Sequence, residues 1–483
     1  MEDDKDWRFT QWFRKMPTEN SGPEDDDLSA IAFDETGKYV ATGDHSGRIV
    51  VLENEQEKKD EKLHYKFHCE FQSHSTEIDY VRSVNIEARI QDIKFCAPSC
   101  GAQFMLTTND RCIKLFKVQE KEIKYSTGFN LSKPSAGGKQ KQIRHLRFPL
   151  VEPVDACPQA TMRRLYPRDI HKFNIHSLSV NIDGSTFMSA DNLVINLWDI
   201  NRTDEIYNIV DIKPVNMQTL TEVITTASLD PCNSHAMIYA TNKGEIRLSD
   251  LRVKALCDKP TRSFSPPRPP SVKIRSSINN SKSAIQEILM SISDAKFSNG
   301  GRQIIGRDYL TVKIWDLAMD KEPVRVIPVQ EFLHQKLPTL YETDCIFDSF
   351  DLAVSPTGEI ATGSYGNYFH IFDIKENSDI LMEASKASVA RGPIGTSTSK
   401  SANQKNSDKK RSSVSAPFMN LFWSSSRKNN RMSESSIGSD GGVTSAIDAD
   451  NINLKQKVLK AVWHPEQDAI AVAEGNNMFI YAK

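Results

Sequence analysis

Four residues in the first sixth of the chain, His64, His68, Cys69 and His74, are of the kinds that ligate zinc. A closed zinc site needs four such ligands at paired, regular spacing, and this set fits no such pattern. No metal is expected. Gly43-Asp44-His45-Ser46-Gly47 has the glycines of a phosphate-cradling loop. It lacks the Gly-Lys-Ser/Thr ending and falls within a hairpin rather than ahead of a helix, so it reads as a turn. Cys96, Cys100 and Cys112 stand in a region whose sister copies lack cysteine and read as buried thiols. No Ser/His/Asp set has a motif around it. The residues indicate a protein without catalysis or cofactor.

The elements around these residues repeat. Seven times a strand is followed by a tight turn and a second strand ending in an apolar and often an acidic residue. The copies run from Ala41-Thr42-Gly43-Asp44 to Val51-Leu52, from Leu106-Thr107-Thr108-Asn109 to Leu115-Phe116, and from Met188-Ser189-Ala190-Asp191 to Trp198-Asp199. The others end at Ser249-Asp250, Trp315-Asp316, Phe372-Asp373 and Ile480-Tyr481. Each is preceded by an alternating strand such as Ser29-Ala30-Ile31-Ala32-Phe33, and turns such as Asp34-Glu35-Thr36-Gly37 supply the hairpin glycine. The expected fold is all-β, a seven-bladed WD-repeat propeller, a platform for binding proteins far more often than a catalyst. An enzyme built on it would need polar groups converging on the central channel, and none is legible.

Charge and cysteine usage narrow the class. Lys plus Arg number 61 and Asp plus Glu 63, so no global basic field favours nucleic acid. The eight cysteines form no Cys-x-x-Cys pair, and no apolar leader or membrane-length apolar run is present. These features point to a soluble protein of the cytoplasm, or also of the nucleus.

The spacing of copies exceeds the ~40–45 residues of a bare blade, which marks insertions. Residues 1–27 are polar, but Trp7, Phe9, Trp12 and Phe13 suggest a strand over 7–13 able to complete the last blade. Blades are expected over 28–383 and 454–483. Residues 53–90 are charged, and 258–285 begin Pro-rich and become polar. The 117–172 insertion holds strand-like pieces around Gln142 to Phe148 and Met162 to Tyr166; a structureless loop of that length is improbable. Residues 384–453 are rich in Ser, Lys, Arg and Asn, and most are expected to be disordered.

Longer blocks carry a resemblance. Phe71-Gln72-Ser73-His74, Asp79-Tyr80, Gln103 to Asp110, Asn208 to Pro214, Leu220 to Thr225, Arg307 to Asp316 and Tyr341 to Asp348 resemble the WD-repeat 55-kDa-class regulatory B subunit of protein phosphatase 2A. The likeness covers roughly residues 28–383 and 454–482. It implies a chain that docks on the phosphatase scaffold A subunit, joins the catalytic C subunit and recruits phosphoprotein substrates with basic helical segments. It implies scaffold contacts on a hairpin arm within 117–172, at Ile143, Arg144, Leu146, Phe148, Arg163, Arg164 and Tyr166. It places substrate contacts at Asp191, Asn192, Met217, Leu220, Val223, Tyr341, Asp344 and Phe347.

The chain departs from that family at several points. Asp191-Asn192 stands where two Asp are usual; Asn85, Glu87 and Ala88 thin an acidic cluster; Ser349 and His45 replace lysines. Altered substrate preference is expected. Without the family blocks, the same repeat would suit a general adaptor, such as a ubiquitin-ligase substrate receptor. Between Lys386 and Met432 stand ten Lys or Arg against one acid, Asp408, a formal +9. Within it lies the apolar cluster Ala416-Pro417-Phe418-Met419 and Leu421-Phe422-Trp423. Residues 405–433 are therefore expected to contact anionic membranes, and phosphates on Ser412, Ser413 or Ser433 would weaken the attraction.

Overall fold

In the computed structural model each copy of the repeat is a four-stranded antiparallel sheet, and seven such sheets form a ring, one of them extended to five strands. The structure describes residues 7–14, 27–55, 63–81, 83–99, 101–127, 148–257, 259–266, 280–375, 378–385, 395–398 and 452–483. The innermost strands, one per blade, are Leu28–Phe33, Asp92–Ser99, Ser177–Val180, Ile224–Leu229, Asp294–Phe297, Leu352–Val354 and Val458–Trp463. Each packs against the next, and the last packs back on the first. They number blades one to seven.

Alternation along each strand puts apolar residues on both sheet faces, where neighbouring blades meet. Ile49, Val51, Ile93 and Met105 join blades one and two; Leu106, Leu115, Phe187 and Trp198 join two and three. The same construction recurs at every interface, ending with Val40, Leu52, Ala471 and Ile480 between blades seven and one. Blade seven takes its outer strand from the other end of the chain: Arg8–Arg14 pairs antiparallel with Asn477–Ala482, with Trp12 opposite Phe479. Trp7 is buried and meets Trp463 edge-on with ring centroids 5.5 Å apart.

Polar groups do converge on the innermost strands, contrary to the sequence reading. Asp92 lies 3.2 Å from Lys94, Asp294 3.2 Å from Lys296, and Asp351 3.0 Å from Lys460. Asp92 also accepts the Leu178 amide and Asp294 the Leu352 amide, sewing adjacent blades together. These acids are held by lysines and amides, an arrangement suited to cohesion rather than to proton transfer.

Two further features concern the insertions. Residues Asn280–Met290, within and just past the Pro-rich stretch, form an α-helix whose Ile285, Ile288 and Leu289 pack on the ring. Residues Gly395–Thr398, inside the stretch expected to be disordered, add a fifth strand to blade six by pairing with Ser378–Leu381. The remainder of 386–451 lies outside the described residues.

Buried His74 makes the first interface sensitive to acid. Its Nδ1 lies 2.9 Å from the Ser73 hydroxyl and its Nε2 3.2 Å from the Cys112 carbonyl oxygen. Burial, then the nearby Lys114 charge, push its pKa down to about 3. An unfolded chain takes up this proton below about pH 6.5, whereas the folded chain refuses it until about pH 3. The contribution is therefore full above pH 6.5 and falls as pH drops through that window. Acid titrations of stability should show His74→Gln flattening this limb; an unchanged slope would remove His74 as its source.

Candidate functional site

Two ends of the ring can be told apart by topology. In every blade, the turn between the second and third strands and the loop to the next blade share one end. Backbone bonds tie them together there: His74 N to Gly47 O at 3.1 Å, Ile175 N to Asp110 O at 2.9 Å, Ile224 N to Asn192 O at 2.8 Å. Seven of the eight proposed substrate residues lie in these turns and loops with their side chains exposed or half-buried. Asp191 is the exception.

Asp191 is only 1% exposed. One carboxylate oxygen accepts the Leu193 and Val194 amides at 2.8 and 2.7 Å; the other lies 3.0 Å from His171 Nδ1. His171 Nε2 stands 2.7 Å from the Ser189 hydroxyl, which accepts the Trp198 indole N–H at 2.7 Å. Burial opposes ionisation of Asp191, but the His171 bond and the two amides outweigh it and hold the carboxyl below its usual range. Asp44, Asn109 and Asp308 close the equivalent turns in the same way. Asp191 is thus a turn-building residue, and its assignment to a substrate surface is corrected.

Three of the other seven line one hollow, and the remaining four stand on the segments that lead to it. A cavity of about 310 Å³ opens among the entries to the inner strands of blades three to six. Asn192, Val223, Phe347 and Ser349 line it, with Ile288, Tyr309 and Asp348. Met217 and Leu220 stand on the loop leading to Val223, where Met217–Thr219 is a single helical turn capped by the Asn216 side chain. Tyr341 and Asp344 stand on the segment leading to Phe347. Asp344 adopts a left-handed φ of 58° between the helix Leu337–Glu342 and the turn Cys345–Phe347. Tyr341 and Phe347 hold their rings 6.4 Å apart and both are exposed, as are Glu342 and Asp344. Beneath them Leu333, Leu337, Leu340, Ile346 and Phe350 form an apolar cluster, of which Ile346 also lines the cavity.

Sequence reasoning missed Asp348 and Tyr309. Lys457 Nζ lies 2.6 Å from one Asp348 oxygen, and the Tyr365 hydroxyl donates to the other at 2.8 Å. Tyr309 and Tyr365 hydroxyls meet at 3.1 Å. Asp348 stands just ahead of an inner strand and Tyr309 in the turn between second and third strands, the two positions that meet at this end of a blade, and that was the available signal. A second cavity, about 390 Å³, lies beside the outer strands of blade three, among Lys172, Phe173, Asn208, Asp211 and Lys213.

The opposite end carries the arm. Ile113–Thr127 pairs with blade two only as far as Val118, which faces Gln103; beyond it the strand pairs with Leu150–Leu165 alone. The second strand takes in the Met162 to Tyr166 piece as far as Leu165 and begins earlier, at Leu150; of the Gln142 to Phe148 piece only Phe148 is among the described residues. Phe148 is 96% exposed, and Leu150, Val151 and Met162 are also exposed. Arg163 is exposed and Arg164 half-buried. Tyr166 is 0% exposed, packs against Phe187 and Trp198, and donates to the Ile200 carbonyl oxygen at 2.9 Å. It is a core residue and no partner can reach it; its assignment to the scaffold surface is corrected. Ile143, Arg144 and Leu146 lie outside the described residues.

The four residues of zinc-ligating type have separate surroundings: His64 bonds Gln11, His68 faces Glu53, Cys69 is buried between blades, and His74 faces Cys112. Among the described residues no group of three or more His, Cys, Asp or Glu could hold a metal.

Comparison with known proteins places this geometry in context. No family model matches the chain. The protein phosphatase PP2A regulatory B subunit of Schizosaccharomyces pombe is 40% identical over 486 residues, spanning 99% of this chain and 98% of that protein. Among solved structures, Raptor of Chaetomium thermophilum aligns with a TM-score of 0.47 at 10% identity, covering 99% of this chain and 29% of that one.

Proposed function

The chain belongs to the family of protein phosphatase PP2A regulatory B subunits, and from that premise we propose that it is a non-catalytic subunit joining phosphatase to substrate. The arm grips the scaffold subunit, which carries the catalytic subunit. The loop face around the cavity receives phosphoprotein substrates through a basic helical segment. The observation that carries this reading is the arm itself: a two-stranded ribbon that leaves blade two and exposes Phe148, Leu150 and Val151. Exposed apolar side chains of this size on a projecting element suit a partner surface. Because the arm extends the turn between third and fourth strands, it leaves from the end opposite the loop face. Both partners can therefore be held at once.

Substrate affinity on this face comes from the apolar shelf of Met217, Leu220, Val223 and Phe347, with Glu342 and Asp344 beside it for basic side chains. With Asp191 committed to its turn and Asn192 uncharged, blade three supplies no exposed acid at this pair.

The test separates the two ends. Residues 123–155 are replaced by an Asn-Gly turn, a cut that spares Tyr166 and the part of Leu150–Leu165 that completes blade two. Co-purification with purified scaffold and catalytic subunits should be lost, with the unfolding midpoint unchanged. Leu220→Arg should leave that association intact and abolish dephosphorylation of captured substrate, because it sets a charge in an apolar contact. Full-strength association of the arm variant would sink the scaffold assignment and leave a general adaptor.

A further inference from the structure

We propose that residues 416–423 of this same chain dock on the loop face as a ligand in cis, competing with substrates for the shelf between Val223 and Phe347. The inference rests on the reading of that face as the substrate surface.

The first support is where the chain returns. It departs from Thr398, which pairs with Ser378 at the end of blade six away from the loop face. It returns at Ile452, which with Leu454 packs into the cluster of Leu340, Ile346 and Phe350 under the shelf. Four residues on, the Gln456 carbonyl oxygen accepts the Gly366 amide at 2.7 Å. Lys457 then grips Asp348, a wall residue of the cavity, at 2.6 Å. The returning segment is thus part of the site's own construction.

Length permits the contact. Residues 424–451 can extend up to roughly 95 Å, whereas a ring of this size is roughly 55 Å across. The outgoing side is also sufficient, since residues 399–415, between Thr398 and the segment, can extend up to roughly 60 Å.

Chemistry selects the occupant. Residues 412–426 contain no charged side chain, and they hold Phe418, Met419, Leu421, Phe422 and Trp423. Lys409, Lys410 and Arg411 flank them on one side, and Arg427, Lys428 and Arg431 on the other. The shelf offers the complement: exposed Tyr341 and Phe347 rings, half-buried Leu220 and Val223, and exposed carboxylates at Glu342 and Asp344. An apolar core with a basic rim thus meets an apolar shelf with an acidic rim.

Tethering makes a weak contact effective. A flexible tether holds its ligand at an effective concentration of about 1 mM. A segment of ~0.1 mM intrinsic affinity would then occupy the face about ten to one, and weaken a competing substrate about tenfold.

The experiment uses the full chain and a fluorescent synthetic peptide of residues 410–428, followed by anisotropy. The chain carrying Phe418→Ala, Leu421→Ala, Phe422→Ala and Trp423→Ala has lost its own ligand, and should bind the peptide about tenfold more tightly than the natural chain. Adding Leu220→Arg, or separately the exposed Phe347→Ala, should remove that binding. Equal affinity for the natural and fourfold-substituted chains would overturn occupation in cis. Binding indifferent to both Leu220→Arg and Phe347→Ala would overturn the site. Peptide that ignores the protein but sediments with phosphatidylserine vesicles would assign the segment to membranes instead. None of these readouts requires phosphatase, so failure here and failure of the scaffold association remain distinguishable.

Discussion

An Asp191→Ala chain should lose about 3–5 kcal/mol of stability, since two backbone amides and His171 each lose a buried partner worth about 1–3 kcal/mol. Denaturant unfolding of the isolated chain measures this directly. Asp191→Asn should cost less, because its amide oxygen can still accept from Leu193 and Val194 while the charge opposite His171 is gone. A chain with an unshifted midpoint and impaired substrate capture would return Asp191 to the binding surface. The same reasoning reaches Trp198, whose indole N–H ends the relay through Ser189 and His171.

Trp7→Ala should be comparably severe. Removing a buried indole from a packed interface costs about 3–5 kcal/mol, and this one stands between Trp463 and the strand that completes blade seven. Loss of that strand would expose the edge of Asn477–Ala482, so limited proteolysis should cut the variant near residues 14–27 at protease levels the natural chain survives. Unchanged cleavage and an unchanged midpoint would show that the ring holds without its amino-terminal strand.

The ring was legible because its signal is repeated: seven turns with glycine or an acid at matching positions, each between strands of period two. Single features were harder. Asp191 and Tyr166 belong to stretches that resemble a functional family, yet resemblance does not distinguish a residue that touches a partner from one that builds the turn beneath it. The acceptor role of Asp191 shows in the parallel Asp44, Asn109 and Asp308, which have the same duty without any claim on substrate. The arm was expected, but Pro153, Cys157 and Pro158 interrupt the alternation along its second strand. Its pairing is therefore set by the hairpin rather than by pattern. The helix Asn280–Met290 had a readable cue in Ile285, Ile288 and Leu289 at helical spacing, masked by the polar residues around them. The inner Asp–Lys pairs had one too: Asp92 with Lys94 and Asp294 with Lys296 stand two apart, on one face of a strand.

Closing the ring with strands from opposite ends of the chain also fixes an order of events at birth. The strand Arg8–Arg14 is made before all seven blade cores, and its partner Asn477–Ala482 after the other six blades. At ribosomal speed the interval between them is on the order of a minute. Throughout that time six blades can form while the Trp7 strand and the outer faces of blades one and six have no mate. The protein thus spends that interval as an open arc with two sticky ends, and becomes a circle only once blade seven is made.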